Sequence, residues 1–289
     1  MSVILITGSS TGIGQETALH MARKGHVVYA AVRSPGTANE LKDKIAAEKL
    51  PVIVTRLDLV DTASIESAVA QIMQEQGRLD GVVANAGIGA GSSVEETPLS
   101  VAREIFETNY FGNVALLREV TPILRQQRAG RVVMVGSLAG RYVAGCHGHY
   151  SASKWALECL GEALAHEVRR FGVRVVNIEP GVIMTNIFEN SAEATRYEKT
   201  SPYHQVMRRN GKVFAAGFRA GAQPELVADT ILTAITSPDY RLRWPVGPDA
   251  EGFMRGRPKI SDEDWVAMGD DLSDAEYNAR FFDYFGIKL

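Results

Sequence analysis

Short apolar runs recur along this chain, each followed by a longer segment with helical spacing. The runs are Val3–Ile6, Val27–Val32, Val52–Arg56, Gly81–Ala84, Arg131–Val135 and Arg174–Ile178. Most are apolar at consecutive positions, the pattern of strands covered on both faces. Between them, Ile13 and Thr17, then Ile65, Val69 and Ile72, repeat at helical intervals, and residues 103–127 and 150–170 predict two long helices. This alternation predicts an α/β fold, a doubly wound parallel sheet with helices on both faces. Pro224–Thr236 reads as a further helix with Pro in its first turn. Arg243–Gly247 reads as an edge strand, because Pro245 cannot donate to a ladder.

The expected body is 1–248, with 186–222 as a mixed, partly basic lid over the substrate. Residues 249–289 form an acidic tail rich in aromatics, including Phe281-Phe282 and Tyr284-Phe285. Aromatics at this density predict packing on the body or on a partner. A net charge of −3 gives no reason to expect a nucleic-acid partner. No apolar run reaches the ~18 residues of a membrane span. The N-terminus reads as a strand entering a turn, not a signal peptide. Residue 2 is Ser, so an N-myristoyl signal is absent. Two cysteines, Cys146 and Cys159, suit a reducing, cytoplasmic setting.

The first sharp motif follows the first run: Thr7-Gly8-Ser9-Ser10-Thr11-Gly12-Ile13-Gly14. Gly8, Gly12 and Gly14 permit a tight turn and close approach of backbone to a pyrophosphate, and the next helix aims its free N–H groups there. Three glycines alone also suit an ordinary strand–helix turn. The position after an N-terminal buried strand favours a Rossmann-type dinucleotide loop.

Further motifs follow in order: Asn85-Ala86-Gly87 after the fourth strand, Asn109 in the next helix, Ser137 closing the fifth strand, Tyr150-Ser151-Ala152-Ser153-Lys154, and Pro180-Gly181 closing the sixth. Together with the glycine turn they resemble the short-chain dehydrogenase/reductase family, single-domain branch, over residues 3–247. Tyr150 and Lys154 are four apart, one turn along one helix face. A nearby ammonium favours the phenolate of a group that otherwise titrates near ~10. Tyr150 can then give or take a proton at a carbonyl or alcohol oxygen, with Ser137 hydrogen-bonding that oxygen. The resemblance implies that Lys154 also holds the nicotinamide ribose, and that Asn109 holds a water linking the lysine to solvent.

The second run ends Val32-Arg33, where an NAD-binding chain of this architecture usually has an acid. A guanidinium there suits a 2′-phosphate, so the expected cofactor is NADP (NADPH), with Ser9 or Ser10 as an added donor. The resemblance implies adenine contacts from Asp58 and Leu59. It also implies cofactor contacts from Asn85, Ala86 and Gly87, and from Pro180, Gly181, Val182, Ile183 and Thr185.

Expected substrate residues are Leu138, Tyr142, Val143, His147, Met184, Ile187 and Phe188, with Phe214 and Phe218 on the lid. This mostly apolar set suits a bulky hydrophobic alcohol or ketone. The second-strand text and long tail resemble the hydroxysteroid and retinol dehydrogenase group. Rival readings are an idle NADP-sensing protein, which usually lacks the Tyr or Lys, and a nicotinamide-dependent lyase or epimerase. His147-x-His149 lacks the further ligands of a metal site, so none is expected. The G-x-S-x-G elbow of a hydrolase is missing. The resemblance also implies a homodimer or homotetramer, with Leu116, Leu117, Val120, Leu157 and Leu160 supplying an apolar face.

Overall fold

The computed structural model of the protein describes residues 1–185 and 198–289. Strands β1 (Val3–Thr7), β2 (Val27–Val32), β3 (Val52–Arg56), β4 (Gly81–Ala84), β5 (Gly130–Val135), β6 (Val173–Pro180) and β7 (Arg243–Val246) form one sheet in the order β3-β2-β1-β4-β5-β6-β7. Every neighbouring pair is parallel. Such strands need long crossovers, supplied by α1 (Gly12–Arg23), α2 (Asn39–Glu48), α3 (Thr62–Gln76), α4 (Leu99–Phe106), α5 (Gly112–Gln127) and α6 (Gly148–Val168). A π-helical turn, Glu107–Phe111, joins α4 to α5. Strand order reverses between β1 and β4, which opens a crevice at their C-terminal ends, where ligands bind in such folds.

The consecutive apolar residues of each strand feed two cores. Leu5, Val82, Val132 and Val175 pack under α3, α5 and α6, and Ile4, Ile6, Val83 and Ile178 pack under α1 and the helix at 224–236. Full burial of each such side chain contributes roughly 1.5–3 kcal/mol. Asp61 caps α3 by accepting from the Ser64 N–H, and Gly77 ends it at φ 67°. Edge strand β7 carries Pro245, as the sequence predicts.

One sequence expectation needs correction. Leu116, Leu117, Val120 and Leu157 are at most 5% exposed and belong to the first core, and Leu160 packs against it. Leu116, Leu117, Val120 and Leu157 therefore face inward within one chain. The mixed stretch expected as a lid contains a regular helix, α7 (His204–Ala220), followed by α8 (Pro224–Thr236).

The tail folds onto the body through α9 (Pro248–Gly256), α10 (Asp262–Val266) and α11 (Asp274–Phe285). Phe253, Met268, Tyr277, Phe281 and Phe285 form a third core with Leu138, Tyr142 and Val213. Arg209 of α7, 2% exposed, donates to the backbone carbonyls of Met268, Asp270 and Leu272. Its guanidinium also lies 4.5 Å from the Tyr277 ring centre. The Phe281 side chain is fully buried. Phe281→Ala is expected to cost about 3–5 kcal/mol, read as a lowered urea midpoint.

Candidate active site

Glycines shape the turn between β1 and α1. Gly8 and Gly12 have φ of 68° and 59°. A Cβ on Gly14 would lie 2.2 Å from the Gly8 carbonyl oxygen. The Asn85 side chain donates to the Thr7 and Gly8 carbonyls, while the Thr7 hydroxyl accepts from the Asn85 and Ala86 N–H groups. These bonds tie the end of β4 to the turn. Thr11 caps α1 without a side-chain hydrogen bond, and no acid lies in the first turn. The positive end of α1 is therefore open to an anion, which fits the pyrophosphate of a dinucleotide.

Ser9 is turned inward: fully buried, it donates to the Ile6 carbonyl, leaving Ser10 as the accessible hydroxyl. Val32 is buried and Arg33 exposed at the end of β2. Asp58 Oδ1 accepts from the Val60 N–H, and Leu59 is buried where Gly112 leaves room for it. Gly87 lies beside Asn109 and Lys154, where a Cβ would stand 3.1 Å from Asn109 Oδ1 and 3.6 Å from Lys154 Nζ.

The catalytic candidates come from three elements at the C-terminal edge of the sheet. Ser137 ends β5, and its hydroxyl accepts from the Ala139 N–H at 3.1 Å. The Ser137 side chain also faces the Tyr150 phenol. Tyr150 opens the first turn of α6; burial raises its phenol above the usual range, and Ser137 opposes that rise. Lys154 lies one turn on, with Nζ donating to the Val135 carbonyl at 3.1 Å and 5.8 Å from the Tyr150 ring centre. Burial lowers its ammonium to about 8, against the opposing charge of Glu158. Asn109 lies in the π-helical turn. Its Oδ1 accepts from the Ile88 N–H, and its Nδ2 donates to the Ile88 carbonyl and the Ser153 hydroxyl.

Ser137, Tyr150 and Lys154 open into a cavity of about 370 Å³ that also takes in Ile13, Pro180, Gly181, Val182, Ile183 and Thr185, whereas Asn109 lies buried behind its wall. Leu138, Tyr142, His147 and Phe214 line it, as the sequence predicts. Val143 and Met184, 41% and 42% exposed, do not. Val143 lies instead in an outer hollow with Trp155 and Trp265. Phe218 is not on the wall, and Ile187 and Phe188 lie outside the described residues.

Sequence reading missed Ile88, Asp249 and Phe253 on the same wall, and gave Cys146, Met207, Asn210 and Val213 only as parts of the expected wall segments. The i, i+3, i+7 spacing of Met207, Asn210 and Phe214 was the available signal for one helix face. Asp249 had no local signal. It is buried, its Oδ2 accepts from the Val182 N–H at 2.7 Å, and it occupies the space that a side chain on Gly181 would need. Among the described residues no cluster could hold a metal, and no helix is long and apolar enough to cross a membrane.

The seven-stranded parallel sheet, the glycine turn and the Ser–Tyr–Lys convergence define a dinucleotide-dependent oxidoreductase architecture. The chain belongs to the short chain dehydrogenase family, whose model matches residues 2–196, and it is an oxidoreductase of that family, which binds a nicotinamide cofactor. It is 32% identical over 246 residues to a 3-ketodihydrosphingosine reductase of Bacteroides thetaiotaomicron, covering 85% of this chain and 88% of that one. It is 32% identical over 268 residues to oxidoreductase BOA17 of Botryotinia fuckeliana, covering 90% and 95%. Among solved structures, a short-chain dehydrogenase from Streptomyces avermitilis superposes with a TM-score of 0.79 at 30% identity, covering 93% and 98%.

His147 offers a test of the wall itself. Its ring lies 4.8 Å from that of Tyr150 and 5.6 Å from that of Phe214, and desolvation lowers its imidazole to about 4. Between the ordinary value near ~6.5 and this one, the unfolded chain binds a proton that the folded chain does not. Stability therefore rises with pH across that window. Comparing urea midpoints of the wild type and His147→Gln from pH 4 to 6.5 is expected to show a slope shallower by close to one proton in the variant.

Proposed function

We propose that the protein is an NADP(H)-dependent oxidoreductase that interconverts a hydrophobic secondary alcohol and its ketone, or an aldehyde. The observation that carries this reading is the convergence of Ser137, Tyr150 and Lys154 on a cavity whose remaining wall is largely Leu138, Tyr142, Met207, Val213, Phe214 and Phe253. An apolar wall with a few convergent polar groups selects an apolar molecule and orients its one reactive oxygen. The ketone in the name of the bacterial relative supports the same class.

A bound nicotinamide supplies or accepts the hydride. The residues do the rest. The glycine turn and the N-terminus of α1 hold the pyrophosphate, and Arg33 pairs with a 2′-phosphate. Tyr150 donates its phenolic proton to the carbonyl oxygen in reduction and takes it back in oxidation. Ser137 donates a hydrogen bond to that oxygen as negative charge builds on it. The Lys154 ammonium favours the Tyr150 phenolate and holds the ribose, and Asn109 fixes the segment beside it. The wall of Leu138, Phe214 and Phe253 excludes water. Trp155 and Phe111, about half exposed, offer outward apolar contacts for a homodimer or homotetramer in a reducing, cytoplasmic setting.

Absorbance at the NADPH band with a panel of apolar ketones tests the reading. Net turnover separates it from an idle sensor and from a lyase or epimerase, which consume no cofactor. Tyr150→Phe is expected to lose ~10³-fold or more in kcat, about 4 kcal/mol of transition-state stabilisation, while NADPH binding persists. Retention of a tenth of wild-type kcat would remove Tyr150 from the role. Arg33→Ala is expected to weaken NADPH by roughly 10- to 150-fold, from a charge-assisted contact of about 1.5–3 kcal/mol, and NADH little. Equal losses for both cofactors would place the specificity elsewhere.

A further inference from the structure

Beneath the catalytic residues lies a second group of charges that the proposed chemistry does not use. Glu158 is one turn beyond Lys154 on α6, and Glu179 is the residue of β6 just before Pro180-Gly181. Both are buried, at 4% and 1% exposed. Glu158 Oε2 accepts from Asn177 Nδ2 at 2.7 Å and from Arg243 Nε at 3.3 Å. Arg141 and Arg243 each stand 3.5 Å from Glu179 Oε1, within ion-pair range but without a hydrogen bond. Oε1 of Glu158 and Oε1 of Glu179 are thus both buried acceptors with no donor. Buried acceptors of this kind are costly; both carboxyls lie against Arg243 Nε, at 3.3 and 3.5 Å, and a proton held by the pair lowers that cost.

The neighbouring charges couple the pair to Lys154. Arg243 also pairs with the half-exposed Glu162 at 2.5 Å, and Glu162 faces His166. Three carboxylates, Glu158, Glu162 and Glu179, face two guanidiniums, Arg141 and Arg243, and the Lys154 ammonium, so the charges balance only while Lys154 keeps its proton. The charge of Glu158 supports that ammonium. Burial, then the charge of Glu158, raises Glu179 to about 7, and burial raises Glu158 as well. Asn177 is the neutral donor between them and β7.

The cluster touches two loops of the site. A Cβ on Gly136 would lie 2.6 Å from Glu158 Oε1, and one on Gly140 would lie 2.9 Å from Glu158 Cγ, so the loop that carries Ser137 is seated on this side chain. Arg141 extends from the same loop to Glu179, whose strand continues into Pro180-Gly181.

We propose that Glu158 and Glu179 are a positioning pair for Lys154 and the Ser137 loop: they share one proton in mildly acidic medium and release it to solvent as the pH rises through neutrality. The added negative charge then holds the Lys154 ammonium in its protonated form, as the Tyr150 phenolate requires. Two carboxyls competing for one proton behave as a unit, so the proton belongs to the pair. The proposal builds on the role given to Lys154 above, and the readouts below need neither cofactor nor turnover, so the two readings fail separately.

Infrared spectra of the intact wild-type chain from about pH 6 to about pH 9 read protonated carboxyls directly, across the range where a free glutamate is fully ionised. Carbon-13 labelling of glutamate separates the pair from Asp249, another buried acid. The expected result is a glutamate carboxylic-acid band that fades near pH 7 and is missing from Glu179→Gln, whose amide can donate to an ionised Glu158. The second readout is acetylation of Lys154 against pH, quantified by mass spectrometry of its peptide. In Glu179→Gln the half-reaction pH is expected to fall by roughly one unit, a ~10-fold change in the ammonium-to-amine ratio at fixed pH. A variant that had merely loosened would move Lys154 the other way, toward its ordinary value near ~10.4. Absence of a glutamate acid band in the wild type at the acid end overturns the proposal, as does a Lys154 profile that is unchanged or shifted upward in Glu179→Gln.

Discussion

An ammonium placed where water is excluded is the constraint on which the site turns. In the proposed chemistry Lys154 stays charged beside Tyr150, whereas burial lowers its ammonium to about 8. The fold answers with one acceptor, the Val135 carbonyl at the end of β5, and with the charge of Glu158 one turn away, while Gly87 leaves space beside Asn109. Each of these groups comes from an element whose position the parallel sheet dictates. The site is thus the meeting of β4, β5, β6 and α6 at one edge, and a shift in any of them alters the charge of a single amine.

The tail has a comparable dependence on the body. Its aromatic rings pack on Leu138 and Tyr142, two residues of the loop between Ser137 and Tyr150. Phe253 serves both that core and the cavity wall. Arg209 connects α7 to three tail carbonyls, and Asp249 connects α9 to Val182 behind the Pro180-Gly181 turn. Cavity wall, Pro180-Gly181 turn and tail therefore order one another. The acidic character of the tail partly reflects helix N-termini, where Asp274 and Glu276 in the first turn of α11 favour the helix.

Most of the sheet was legible because its strands are apolar at consecutive positions and bounded by turn residues. Runs read as Val27–Val32, Val52–Arg56 and Gly81–Ala84 are the strands observed. Helix α7 was not legible as a unit. Its apolar residues alternate with Arg208, Arg209 and Lys212, and the meaning of a buried Arg209 rests on carbonyls about sixty residues away. Leu116, Leu117, Val120 and Leu157 show the opposite error. Their spacing marks an apolar helix face, but spacing alone does not say whether that face meets the chain's own sheet or a second copy.

By itself the sequence determined the alternation of strand and helix, the glycine turn, and the spacing that puts Tyr150 and Lys154 on one face of one helix. Those are local matters, decided by backbone freedom, apolar periodicity and the pitch of a helix. Only the tertiary structure decided that Ser9 turns inward while Ser10 stays accessible, that Val143 and Met184 leave the cavity while Met207, Asn210 and Phe253 enter it, and that Glu158 and Glu179 meet beneath Lys154. These depend on which distant groups share a desolvated space, and burial and pairing of charges follow from the packed arrangement of many segments together.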